Sequence, residues 1–159
     1  MKRFYLILIL LILGGCSGQT GQPSATPTQI LANVPSQGRE VPAVISYFSE
    51  PVVITAPTTI TANTPFELHV TSYGGGCESA GGMRVEQTGM TTIVNVYDYT
   101  TRSLETPCTE QLKRFTHSIT LQFSERGEAL IMIKGVRVGN DTPSMDGRPA
   151  TFEHRIIVQ

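Results

Sequence analysis

The side chains best suited to binding chemistry lie in three polar connections of the sequence rather than in a catalytic motif. Carboxylates, guanidinium groups and one thioether are available there, on Glu78, Arg102, Glu105, Asp141, Met145, Asp146 and Arg148. Loops on a rigid β scaffold commonly carry binding residues, because the scaffold holds them in place while their sequences vary. We therefore predict a binding surface on these loops. The alternative is that the same polar side chains only solvate one end of a domain.

Neither catalysis nor a resident metal is indicated by a recognisable pattern. The chain has no GxSxG, HExxH or phosphate-loop sequence, so we predict a non-catalytic protein without catalytic residues. Asn140, Asp141 and Asp146 carry oxygen atoms that calcium would accept, but their spacing differs from that of an EF-hand loop. The methionines and histidines are scattered, unlike the close sets of ligands expected of a copper carrier. We predict no cofactor and no metal, and a small metal carrier remains as an alternative.

The strongest structural signal is an alternation of apolar and polar residues over 118–138. Ile119, Leu121 and Phe123 form an apolar row that resumes after a turn at Gly127. Period-two alternation on both sides of a glycine turn predicts a β-hairpin with one face in a core. Because a lone hairpin is marginal in water, other strands must cover that face.

Seven strands and no helix are predicted for the folded region. Five of the strands span 44–55, which is bent at Pro51, 66–73, 83–88, 91–99 and 151–158, and the hairpin supplies two more. Short strands between turn residues predict an all-β, seven-stranded antiparallel sandwich of two sheets. Because successive strands alternate in direction, the three candidate connections should lie at one end. In strand count and loop placement this arrangement resembles an immunoglobulin-like β-sandwich over residues 43–159.

The amino-terminal residues have the features of an export signal. Lys2 and Arg3 precede an apolar run of ten residues, 4–13, which is half of the roughly 20 needed to span a bilayer. This pattern predicts a secretory signal peptide over residues 1–15. The sequence Leu-Gly-Gly-Cys that ends at Cys16 resembles the lipobox of bacterial lipoproteins. The alternative is a plain signal peptide.

The lipobox resemblance implies the covalent chemistry and the location of the mature chain. It implies cleavage before Cys16, a diacylglycerol on its thiol and a fatty acyl group such as palmitate on its amino group. The protein would then be extracytoplasmic and anchored by lipid to a bacterial membrane. Ser17 favours the outer membrane where the bacterium has two. Residues 16–42, rich in Ser, Thr, Pro and Gln, are predicted to form a tether that carries a domain over 43–159.

Lipidation of Cys16 leaves an even number of cysteines, so Cys77 and Cys108 are predicted to form a disulfide in an oxidising compartment. Loss of Lys2 and Arg3 with the signal peptide leaves ten Lys and Arg residues against thirteen Asp and Glu, a net charge of about −3. A negative chain argues against nucleic acid as a partner.

These inferences predict a lipid-anchored β-sandwich lipoprotein that acts as a non-catalytic binding or envelope-assembly module. Its partners would be the membrane, through Cys16, and an envelope protein or a polysaccharide contacted by the disulfide-linked loops. The alternative function is inhibition of a secreted protease or hydrolase, with the same loops inserted into the enzyme's cleft.

Overall fold

The structure, a computed structural model, describes residues 38–102, 107–140 and 147–159. These residues form strands and connections without a helix, and therefore without a helix able to span a membrane. The strands are β1 (Arg39–Pro42), β2 (Val44–Tyr47), β3 (Ile54–Thr55), β4 (Thr59–Ile60), β5 (Phe66–Gly74), β6 (Glu78–Thr88), β7 (Thr91–Thr100), β8 (Lys113–Leu121), β9 (Gly127–Val138) and β10 (Arg148–Val158). The predicted all-β class is confirmed.

All of these strands belong to one curled sheet with two arms. One arm has the order β6, β7, β9, β10, β4, and the other has the order β8, β5, β3. Strand β2 joins the arms, because it pairs with the end of β9 in parallel and with β5 at Val44 and Tyr73. Strand β1 lies beside the second half of β7.

The prediction of seven purely antiparallel strands is wrong for the described residues. Ten strands are present, and the pairs β2 with β9, β7 with β9 and β4 with β10 are parallel. The predicted strand 44–55 is split into β2 and β3, and β1 lies in a segment assigned to the tether. Alternation of residues shows which face of a strand is buried, but it does not show which strand lies alongside.

The predicted hairpin over 118–138 is also wrong in its pairing. Strand β8 pairs with β5 in one arm, whereas β9 pairs with β7 and β10 in the other. The segment around Gly127, whose φ is 133°, therefore carries the chain from one arm across to the other. The alternation correctly marked the buried residues, but the two apolar rows face each other across the core instead of lying edge to edge.

A single apolar core fills the space between the arms. Phe66, Leu68, Val70, Leu121 and Phe123 come from one arm; Val94, Val96, Ala129, Ile131, Ile133, Ile156 and Val158 come from the other. Ala43 and Ile45 complete it at the junction. Full burial of a side chain of this size stabilises the fold by about 1.5–3 kcal/mol. The core thus fixes β2 against the ends of β5 and β9.

Gly135 allows this close approach of β2 to β9. A Cβ atom at this position would lie 2.7 Å from the carbonyl oxygen of Ala43 and 3.0 Å from the side chain of Ile45. Any larger residue would therefore push β2, and the turn that follows it, away from β9.

The connections after β5 and β7 lie together at one end of the fold, and β9 points towards that end because it runs parallel to β7. Strand β5 ends opposite the start of β8. The predicted disulfide is present, with 5.4 Å between the Cα atoms of Cys77 and Cys108, and it links the first two connections. Arg39 pairs with Thr100, so the described chain begins at this end too. We refer to it as the loop end.

Candidate functional site

Glu78 is a partly buried anchor of the disulfide corner rather than a free ligand group. Its side chain is 16% exposed and accepts a hydrogen bond of 2.6 Å from the backbone N–H of Gly75. The hydroxyl of Thr100 donates to the other carboxylate oxygen over 3.4 Å, and the guanidinium of Arg102 lies 3.5 Å from that oxygen. The structure therefore brings Glu78 and Arg102 together as an ion pair.

Close contact between the two disulfide-linked connections reinforces this corner. The N–H of Gly76 donates to the carbonyl oxygen of Thr109 over 3.0 Å. A Cβ on Gly76 would lie 1.9 Å from the hydroxyl oxygen of Thr109, so the contact requires glycine. Cys77 and Cys108 thus lie in a corner that is itself well packed.

The other predicted site residues are not part of this corner. Arg148 begins β10, three strands away from Glu78 in the order β6, β7, β9, β10, which corresponds to about 14 Å. Glu105, Asp141, Met145 and Asp146 lie outside the described residues, as does Cys16. The described candidates therefore occupy two separate parts of the loop end.

A groove at the loop end was not foreseen in the sequence. It has a volume of about 560 Å³ and is lined by Ser46, Phe48, Ser49, Arg137, Val138, Gly139 and Asn140. These residues come from the end of β2, the turn after it and the end of β9. Hydroxyl, guanidinium and amide groups therefore surround one aromatic ring.

Phe48 has an unusual conformation for a bulky residue. Its φ is 46°, in the left-handed region, and its backbone N–H donates a hydrogen bond of 2.7 Å to the carbonyl oxygen of Val138. The side chain is 45% exposed. Left-handed backbone is strained for a residue of this kind, and such strain occurs often at functional sites. Core packing does not explain it, because nearly half of the residue's surface faces solvent.

A series of aromatic contacts holds Phe48 in place. Its ring meets Tyr47 edge to face at 4.8 Å between centroids, and Tyr47 stacks on Tyr73 at 6.3 Å. The hydroxyl of Tyr73 donates to the carbonyl oxygen of Pro51. Contacts of this type stabilise by about 0.5–1.5 kcal/mol per aromatic pair beyond burial. The exposed ring therefore stands on a fixed support.

Two charged residues, Arg114 and Glu50, lie near Tyr73 on the other side of this aromatic support. The guanidinium of Arg114 lies 5.9 Å from the centre of the Tyr73 ring and forms an ion pair with Glu50. Burial raises the pKa of the Tyr73 hydroxyl, Arg114 lowers it, and Glu50 raises it, with a net increase. Tyr73 therefore remains protonated above the pH at which an exposed tyrosine ionises.

A separate polar cluster lies within the fold, formed by Ser72 on β5, Asp98 on β7 and His117 on β8. The Ser72 hydroxyl donates to Asp98 Oδ1 over 3.1 Å and lies 2.8 Å from His117 Nε2, which is 3.1 Å from the same carboxylate oxygen. All three residues are at most 3% exposed. We call this cluster the polar bridge, because it connects the two arms of the sheet.

The polar bridge contains the residue types of a hydrolase triad without its geometry. In a triad the aspartate accepts from Nδ1 of the histidine, which leaves Nε2 for the serine. Here both Ser72 and Asp98 lie at Nε2, and Nδ1 of His117 has no hydrogen-bond partner within the described residues. Burial also denies a substrate access to the hydroxyl. The cluster is therefore suited to holding the arms together and not to nucleophilic attack.

Sequence reasoning missed both the groove and the polar bridge. Adjacent aromatics at Tyr47 and Phe48, followed by Pro51, were the available signal that the first predicted strand turns early. The polar bridge has no local signal, because its members lie 26 and 45 positions from Ser72 along the chain.

No three His, Cys, Asp or Glu side chains in the described part of the chain are grouped so that they could hold a metal ion. Comparisons with protein-family models, with curated proteins and with solved structures find no significant match.

Proposed function

We propose that this protein is a lipid-anchored, extracytoplasmic binding module whose loop end is its recognition surface. We further propose that the curled sheet is a variant of the immunoglobulin-like sandwich. The two arms packed across one core support that relationship. The lipobox sequence at Cys16 supports the anchor.

One observation carries the assignment of a binding role. The groove at the loop end presents Phe48, a strained and half-exposed aromatic residue, on a fixed aromatic support. A rigid ring loses little entropy when a ligand covers it, and aromatic residues are frequent at recognition surfaces for that reason. The polar groups around the ring would supply direction and specificity.

The position of the chain start favours a partner close to the anchoring membrane. Arg39 lies at the loop end, so the predicted tether, residues 17–37, would join the domain at the same end as the groove. If they behave as a flexible coil, their r.m.s. reach is about 26 Å. The groove would therefore lie within a few tens of ångströms of the lipid anchor.

The anchor is tested by partitioning the full chain, expressed in a bacterial host, between detergent and aqueous phases. We expect the wild type in the detergent phase, with an intact mass that shows a diacylglycerol on Cys16. Cys16→Ser should be found in the aqueous phase or remain unprocessed. A wild-type chain that lacks lipid would contradict the proposed anchor.

Binding is tested by the retention of the same chain, kept in detergent so that its lipid cannot insert, on cell-envelope fragments that have been washed and stripped of membrane lipid. Phe48→Gly removes the ring at a position where glycine is unstrained, and Ile157→Ser removes an equally exposed apolar side chain, 46% accessible, at the opposite end. We expect Phe48→Gly alone to lose retention. Equal retention of the three proteins would contradict a binding role for the loop end.

A further inference from the structure

We infer that the groove binds an acidic polysaccharide, with the Phe48 ring against a sugar face and Arg137 on a carboxylate. This inference rests on the proposed binding role of the loop end and specifies the ligand class. It depends on the described groove residues and on their charges, exposure and fixed positions.

Phe48 provides the stacking surface. A sugar ring presents a face of C–H bonds, which carry small positive partial charges and are attracted to the negative face of an aromatic ring. The contact with Tyr47 at 4.8 Å and the hydrogen bond to Val138 fix the ring before a ligand arrives. Left-handed backbone costs an L-residue about 1–2 kcal/mol. The fold retains this cost at a residue that is 45% exposed, which is the arrangement expected of a ligand platform.

Arg137 provides the charge. Its side chain is exposed at the edge of the groove, and it forms no ion pair within the described ranges of the chain. Arg148 is its cross-strand neighbour in the β9 and β10 pair but does not line the groove, so Arg137 is the guanidinium group of the groove itself. The planar guanidinium fork matches a carboxylate in two hydrogen bonds, which makes an acidic ligand a better fit than a neutral one.

The rest of the lining suits sugar hydroxyl groups. Ser46 and Ser49 each carry a group that donates and accepts, and Asn140 adds an amide with both functions. The volume of about 560 Å³ lies within the usual range of small-ligand sites, about 300–1,000 Å³. The groove therefore accommodates a short segment of a chain of sugars rather than the broad surface of a folded protein.

The inference is tested by calorimetric titration of the full chain in detergent with two probes. One is tetragalacturonate, and the other is the same oligosaccharide with its carboxylates reduced to alcohols. We expect the wild type to bind the acidic probe at least tenfold more tightly. Absence of binding to the acidic probe, or equal affinity for both probes, would overturn the inference.

Four variants test the roles of Phe48 and Arg137 separately. Phe48→Gly should lower the affinity for the acidic probe at least tenfold, while Phe48→Tyr, which keeps the ring, should retain binding. Arg137→Gln should abolish the preference for the acidic probe. Arg126→Gln removes an exposed arginine beyond the end of β8, far from the groove, and should change nothing. If Arg126→Gln lowers the affinity as much as Arg137→Gln, the binding is nonspecific attraction to positive charge, and the inference is wrong.

Failure of this inference is distinguishable from failure of the proposed function. If envelope fragments retain the wild type but not Phe48→Gly, and neither probe binds, the loop end is a binding surface and the ligand class is wrong. If neither the fragments nor the probes distinguish the wild type from Phe48→Gly, both proposals are wrong.

Discussion

Replacement of Phe48 by alanine and by glycine provides a direct measure of the backbone strain beneath the exposed ring. Both variants lose the same aromatic contacts, so the difference between them reports the backbone alone. At a φ of 46° an alanine keeps the left-handed penalty of about 1–2 kcal/mol, which glycine avoids. The greater entropy of the unfolded chain at glycine reduces this advantage by about 0.5–1 kcal/mol. We therefore expect Phe48→Gly to be more stable than Phe48→Ala by roughly 0.5–1 kcal/mol.

Ser49 is the matched control, because its φ is not positive. At that position alanine should be the more stable replacement by a few tenths of a kcal/mol or more. The assay is urea unfolding followed by circular dichroism, and thermal midpoints should differ by about 2–5 °C at position 48. If alanine at position 48 equals or exceeds glycine in stability, Phe48 is not held in the left-handed region. The rigid platform assigned to the groove would then lose its basis.

Three further predictions concern the stability of the scaffold. Replacement of Cys77 and Cys108 by serine should lower the free energy of unfolding by about 3.7 kcal/mol on the chain-entropy model for a 31-residue separation, measured in urea. Asp98→Ala should lower the free energy of unfolding by about 2–4 kcal/mol in the same assay, because it leaves two buried groups of the polar bridge without their acceptor. The control, Glu86→Ala at an exposed site, should lower it little. The pKa of Tyr73 is raised on folding, so its contribution to stability should be constant below pH 10 and should fall as the pH rises through its folded pKa. Tyr73→Phe should flatten this decline in the free energy of unfolding, measured at alkaline pH.

The sequence predicted those features of the fold that depend on local periodicity. Alternation around Leu121 and Ile131 identified buried faces correctly, and the direction of successive strands placed the disulfide connections together. The sequence did not show which strands pair with each other. The crossover near Gly127 has the same local pattern as a hairpin, and only the position of β5 and β7 decides between the two.

The candidate site could be derived from the sequence only in part. Glu78 and Arg102, which the sequence analysis selected, lie together at the loop end, but Glu78 is an anchor within a hydrogen-bonded corner. Phe48 was overlooked because an aromatic residue in a β-prone segment predicts burial, whereas here β2 ends early and leaves the ring half exposed. Its positive φ has no signature in the residue type, since glycine or asparagine would be expected at such a position.

The most direct test of the central claim, that the loop end is the recognition surface, is photo-crosslinking in living cells. A benzophenone amino acid would replace Phe48 in one strain and Ile157, which is equally exposed at the opposite end, in another. A discrete adduct at position 48 and none at 157 is the predicted result. Its mass would distinguish a glycan or envelope protein from a secreted hydrolase, the target expected of an inhibitor. A discrete adduct at 157 only, or no adduct at either position, would contradict the account.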